Sequence, residues 1–188
     1  MKLTLVRHAE VDEKYRACYN GHNEIGLSKL GEFQATELCA LLDIFKFDSV
    51  FSSDTFRAKE SIKHSLHVED IIYTDKLREK SWGKHEGLSF DEIISQEEIK
   101  YKNFLQWINA LDGEDYEKYI KRIEEFFLEY LPSLESENIL VITHAGVIRV
   151  FMSIIHKISL EEAFAIKVQH AKPIHYDTKN GDFRDAIL

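Results

Sequence analysis

An α/β domain with a mostly parallel sheet is the fold class this sequence predicts, on three observations. Two short runs, Leu3-Thr4-Leu5-Val6 and Ile139-Leu140-Val141-Ile142, are aliphatic or β-branched and too short for buried helices. They read as strands covered on both faces. Between them the hydrophobic period switches repeatedly between strand and helix, with no repeat, low-complexity tract or linker. Residues 1–188 therefore read as a single domain.

After the first strand, the polar segment from Val11 to Ile25 has no period and reads as a loop. Leu38, Leu41, Leu42 and Phe45 stand at core spacing and predict a helix from Ser28 to Phe45. Asp48 to Ser53 reads as a short strand, and Asp54 or Thr55 caps a helix with Arg57 in its first turn. Ile71-Ile72-Tyr73 is a further strand, whereas Leu77 to Gly87 has two glycines and no period, as a loop would. Ser89 with Glu92 forms a capping box for a helix continuing toward Trp107. Another helix runs from Asp115 to Tyr130 and stops near Pro132. His144-Ala145-Gly146 opens a helix through Ile155, and Ser159 with Glu162 suggests a second capping box. The chain ends in a strand pair turning at Asn180-Gly181.

Composition bounds the partners. A chain of 188 residues with 44% hydrophobic and 30% charged side chains is ordinary globular usage. A net charge of −9 argues against nucleic-acid and anionic-membrane binding, which need a basic face. A few local arginines can still focus a pocket on a small anion. No apolar stretch approaches the roughly 20 residues of a membrane span, and no signal-peptide pattern opens the chain. Cys18 and Cys39 make no disulfide framework, so a reducing cytoplasm is the simplest expectation. No pattern fixes an oligomeric state.

The chemistry gathers at strand ends. Arg7 and His8 end the first run and His144 ends the second. Open α/β sheets bind ligands beyond the carboxyl ends of their strands, so these groups converge on one crevice. Arg57, beginning a helix after another strand, can join them. A neutral imidazole held through one nitrogen can accept a phosphoryl group on the other, provided cations surround the transferring oxygens. Glu79 is the natural acid for a leaving alkoxide, with Glu86 in the same loop as its competitor. Singly, each has a plainer role: a satisfied strand-end histidine, or an arginine paired on a helix surface. Tyr15, Arg16 and Tyr19 either line an entrance or pack their own loop, and Asn20 and His22 serve equally as turn residues or ligands. His64 and His67 read as an exposed helical face, and His85, His156, His170 and His175 gain no role, though His170 and His175 approach the strand ends where the pocket is expected. A cysteine phosphatase is excluded: the position needing arginine after Cys18 is Glu24, and after Cys39 it is Phe45. No glycine-rich Lys-Ser/Thr loop and no dense Asp/His metal cluster is present.

The ordered segments Leu5-Val6-Arg7-His8-Ala9-Glu10, Ser52-Ser53-Asp54-Thr55-Phe56-Arg57-Ala58, Leu77-Arg78-Glu79 with Gly83 and Glu86-Gly87, and Thr143-His144-Ala145-Gly146-Val147-Ile148-Arg149 resemble the histidine phosphatase superfamily. That group also holds the cofactor-dependent phosphoglycerate mutases. Asn20-Gly21-His22 and Leu27-Ser28 with Gly31, Gln34 and Ala35 match its next signature. The resemblance implies a three-layer α/β/α sandwich and a phosphomonoester hydrolase needing no metal or cofactor. It implies His8 as the nucleophile that becomes phosphohistidine, with Arg7, Arg57 and His144 binding the phosphoryl group. Glu79 would be proton donor and then base for water, and Asn20 and Gly21 would assist binding. The chain departs from the family pattern at Ala9-Glu10-Val11, where Gly-Glu-Thr is common, and at Lys14 and Ala145. The length leaves little for a water-excluding lid, which favours hydrolysis of a small phosphorylated metabolite over mutase transfer. Ala17-Cys18-Tyr19-Asn20-Gly21 resembles the α-ribazole-5′-phosphate phosphatases of cobalamin assembly. A protein phosphohistidine phosphatase and a non-catalytic phosphoryl-binding module are the remaining alternatives.

Overall fold

The two apolar runs form adjacent inner strands, β1 (Lys2–Arg7) and β4 (Asn138–Thr143), with Leu3, Leu5, Val6 and residues 139–142 all buried. The other strands are β2 (Ser49–Ser53), β3 (Ile71–Thr74), β5 (Pro173–Asp177) and β6 (Asp182–Arg184). In the computed structural model, which describes residues 1–184, they make one sheet in the order β3-β2-β4-β1-β5-β6. The first four are parallel to one another, β5 runs antiparallel to β1, and β6 pairs antiparallel with β5. The expected final turn is present: the Gly181 amide donates to the Asp177 carbonyl at 2.8 Å, with glycine at φ +71°.

Strand alternation sorts the helices into two layers. Leu3, Leu5, Phe51, Ile139 and Val141 face Trp107 of α4 (Phe104–Ala110), Ile123 of α5 (Tyr116–Glu124) and Val147 and Phe151 of α6 (Ala145–His156). Val6, Val50, Leu140 and Ile142 face Leu38 and Leu42 of α1 (Lys29–Leu42) and Ala58 and Ile62 of α2 (Phe56–Ile62). Each large aliphatic side chain buried this way contributes about 1.5–3 kcal/mol. The result is the three-layer α/β/α sandwich. Both expected capping boxes form, Ser89–Glu92 before α3 (Phe90–Gln96) and Ser159–Glu162 before α7 (Leu160–Ala165).

Three elements differ from expectation. The helix from Ser89 does not reach Trp107; it stops at Gln96, and α4 starts anew behind Asn103, whose side chain caps the Gln106 amide. Glu97 turns to extended backbone, and its carboxylate accepts from Lys84 at 2.9 Å and from buried His85. The first long helix ends at Leu42 rather than Phe45, because the Asp43 carboxylate is held by the Ser65 hydroxyl and the Leu66 amide. Thr55 is the N-cap of α2 without a side-chain cap bond, while Asp54 pairs instead with Arg78. Among the described residues no helix is long and apolar enough to cross a membrane.

Candidate active site

His8 follows the last residue of β1, and its amide donates to the Thr143 carbonyl at 2.9 Å. Its Nδ1 lies 2.7 Å from the Ala9 carbonyl, which can only accept, so Nδ1 carries the proton and Nε2 keeps a lone pair. The ring is 6% exposed. Burial, then Arg57 and Arg7, hold its pKa well below the usual histidine value, with the Ala9 bond working the other way. The imidazole is therefore neutral.

Three partners surround it. Because β1 and β4 lie in register, with Arg7 opposite Thr143, His144 arrives beside His8 with ring centroids 5.1 Å apart. His144 Nε2 is bonded to the Ser53 hydroxyl at 2.9 Å, and its buried Nδ1 has no partner. Burial, with Arg57 and His8 adding to it, keeps this imidazole neutral as well. Arg57 is fully buried, and its terminal nitrogens donate to the carbonyls of Asn23 at 3.1 Å, Asn20 at 3.3 Å and Gly21 at 2.6 Å. Arg7 donates to the Val168 carbonyl at 2.9 Å. The Nε atoms of both arginines are buried without a partner. Burial draws both guanidinium pKa values down to about 10, which leaves them charged.

The Leu77–Gly87 segment supplies two carboxylates with different surroundings. Glu86 accepts from the Gly21, His22 and Trp82 amides at 2.7, 2.8 and 3.0 Å, fastening the 20–22 turn to this loop. Gly21 is required there, since a Cβ would overlap the Lys80 carbonyl. Glu79 instead accepts from the Gly146 amide at the start of α6 at 2.8 Å, from the Lys80 amide at 3.1 Å and from the Tyr119 hydroxyl.

A cavity of about 470 Å³ opens over these groups. Arg7, His8, Asn20 and Glu79 line it, together with Tyr15, Arg16 and Tyr19 from the loop after β1. Arg57, His144 and Gly21 are not part of its wall; Gly21 meets the site only through its backbone bonds to Arg57 and Glu86. The Asn20 amide nitrogen donates to the Tyr15 carbonyl at 2.7 Å. Trp82, Tyr116 and Phe164 complete an aromatic outer wall, and the Tyr19 hydroxyl accepts the Trp107 indole N–H at 2.6 Å. His170 lies 5.7 Å from His8, ring to ring, and burial pushes its pKa down to about 4. Sequence reasoning gave His170, Arg149, Tyr116 and Tyr119 no role at the site, yet all four line the cavity, and Tyr119 also donates to Glu79. The usable signals were the position of Arg149 in the His144 motif and that of His170 near the strand ends where the pocket is expected. Of the other histidines, His22 donates through Nε2 to the Glu79 carbonyl at 3.1 Å, and His85 accepts the Asp112 amide at 3.0 Å. His175 bonds to Thr4 at 3.1 Å, away from this site. Among the described residues no group of three or more His, Cys, Asp or Glu is placed to hold a metal ion.

The family model described as "Histidine phosphatase superfamily (branch 1)" matches residues 3–185. A provisionally named phosphoserine phosphatase 2 of Hydrogenobacter thermophilus is 29% identical over 181 residues, 90% of this chain and 86% of the relative. The adenosylcobalamin/α-ribazole phosphatase of Salmonella typhimurium is 27% identical over 158 residues, 81% of this chain and 78% of the relative. In fold, the crystal structure of the α-ribazole phosphatase from Shigella flexneri superposes with a TM-score of 0.81 at 24% identity, covering 97% of this chain and 93% of that one. With the motif histidines, the two arginines and a match over almost its whole length, the chain belongs to the histidine phosphatase superfamily, branch 1, and is a phosphatase.

Proposed function

We propose that this chain hydrolyses small phosphomonoesters without a metal, through a phosphohistidine on His8. The observation that carries the proposal is the fixed tautomer: Nδ1–H is tied to the Ala9 carbonyl and a lone pair remains on Nε2 of a neutral, buried ring. Arg7, Arg57 and His144 are neighbours of this imidazole, and each keeps one buried nitrogen without a partner, the donor type that phosphoryl oxygens accept from. In the first half-reaction Nε2 bonds to phosphorus, the ester P–O bond breaks, and Glu79 gives its proton to the leaving oxygen. In the second, water loses a proton to Glu79 as its oxygen bonds to phosphorus and the P–N bond breaks, releasing phosphate. Neutral His144 and the two guanidinium groups stabilise charge on the transferring oxygens without reorganising.

The outer wall of Tyr15, Tyr19, Trp82, Tyr116 and Phe164 favours esters whose alcohol carries a planar ring. With the α-ribazole phosphatase among its relatives, α-ribazole 5′-phosphate is the first such substrate to try. The test is phosphate release from a panel including α-ribazole phosphate, phosphoserine and 3-phosphoglycerate, with wild type beside His8→Ala. Release by wild type, reduced at least about 10³-fold in the variant, is the expected outcome. Equal turnover by both proteins would remove His8 from the chemistry.

A further inference from the structure

The two oxygens of Glu79 are bonded unequally. Oε1 accepts both the Tyr119 hydroxyl and the Lys80 amide, whereas Oε2 accepts the Gly146 amide. A carboxyl group carries one proton, and an oxygen already taking two donors has no lone pair left for it. We infer that Tyr119 is a positioning residue for phosphoryl transfer: it occupies Oε1 of Glu79, so that the proton given to the leaving group is held on Oε2. The inference rests on Glu79 being the proton donor of the proposed reaction.

Tyr119 is built for one task. It is 1% exposed, and burial holds its hydroxyl protonated, so it remains a donor throughout the cycle. Its ring lies under the Arg122 guanidinium, 4.8 Å from the centroid. The same guanidinium donates to the carbonyls of Arg78 and Glu79, at 2.8 and 3.1 Å, and to the Glu114 carboxylate. One turn of α5 thus anchors both the backbone of Glu79 and the phenol that reaches its side chain. Across the carboxylate, Gly146 has no side chain because a Cβ there would overlap Glu79 Oε1 and come within 2.7 Å of the Tyr119 hydroxyl. During transfer Oε2 loses its proton as the ester P–O bond breaks, and regains one from water as the P–N bond breaks. Tyr119 keeps its own proton in both halves and only fixes which oxygen takes part.

The test uses leaving groups that differ in their need for a proton. Nitrophenolate departs without one, whereas a glycerol alkoxide does not, and kcat/KM reports the steps through phosphohistidine formation. For glycerol phosphate, Glu79→Gln is expected to lower kcat/KM by at least about 10²-fold and Tyr119→Phe by about tenfold or more. For 4-nitrophenyl phosphate, Tyr119→Phe should stay within about twofold of wild type. A loss shared by both substrates, or no loss, in Tyr119→Phe overturns the positioning role while leaving Glu79 as the acid. A loss shared by both substrates in Glu79→Gln removes the acid itself, and the inference with it. If the phenylalanine variant does not fold, Tyr119→Met removes the hydroxyl with a more pliable side chain and carries the same comparison.

Discussion

His8 is useful because it is uncharged, and that state has a consequence for stability. In the fold, burial and the neighbouring arginines keep His8, His144 and His170 neutral, with His170 drawn down to about 4 and the other two well below 6.5. In the unfolded chain all three bind protons below about pH 6.5. The unfolded state therefore binds more protons in the acidic range, so stability must fall as pH drops through 6.5. Each folded-neutral imidazole adds a slope of up to about 1.4 kcal/mol per pH unit until its folded pKa is reached. The melting temperature is accordingly expected to decline from pH 7 to pH 5, and His144→Gln, lacking one of the three groups, should show a shallower decline. Equal slopes in both proteins would contradict the buried neutral state. The acidic loss of activity from His8 titration should likewise lie well below pH 6.5.

At the scale of elements, the site depends on two irregular segments locked together. Glu86 is the lock: three backbone amides, from Gly21, His22 and Trp82, end on its carboxylate. Removing that acceptor leaves buried donors unpaired, at about 1–3 kcal/mol. Glu86→Ala is expected to lower the melting temperature and to depress turnover of nitrophenyl and alkyl esters alike, the opposite of the selective loss expected at Glu79. Selective loss of alkyl turnover in Glu86→Ala would instead make it the acid. The sequence favoured Glu79 as the acid but did not show what Glu86 does instead, because what separates them is the amides each one meets, and those come from distant segments. The break between α3 and α4 was hidden for a similar reason. Ser89 and Glu92 announce a helix start, but its end is set by Glu97 reaching His85 and Lys84. Tyr119 has no reading in the sequence, and only the folded loop reveals that its hydroxyl reaches Glu79.

For the whole molecule, topology does most of the positioning. Placing β1 beside β4 brings His8 and His144 together across nearly the full length of the chain, and β2 delivers Ser53 and then Arg57 from the other side of β4. Hydrophobic runs of strand length, each ending in a chemically active residue, made this arrangement readable from the sequence, as did the helix caps and the final hairpin. Cavity shape was not readable, since Tyr116, Arg149, Phe164 and His170 reach its wall from four separate places in the chain. The protein carries a net charge of −9 and concentrates Arg7, Arg57 and Arg149 at one point, local focusing of an anion site within an acidic molecule. The central claim is covalent transfer to His8 without a metal. It is tested most directly by mixing the enzyme with a fast phosphomonoester in excess chelator, quenching in alkali and locating the label by peptide mass analysis. The expected result is one acid-labile phosphoryl group on His8 in wild type and none in His8→Ala. A label on another residue, or labelling that appears only when a divalent ion is restored, would contradict it.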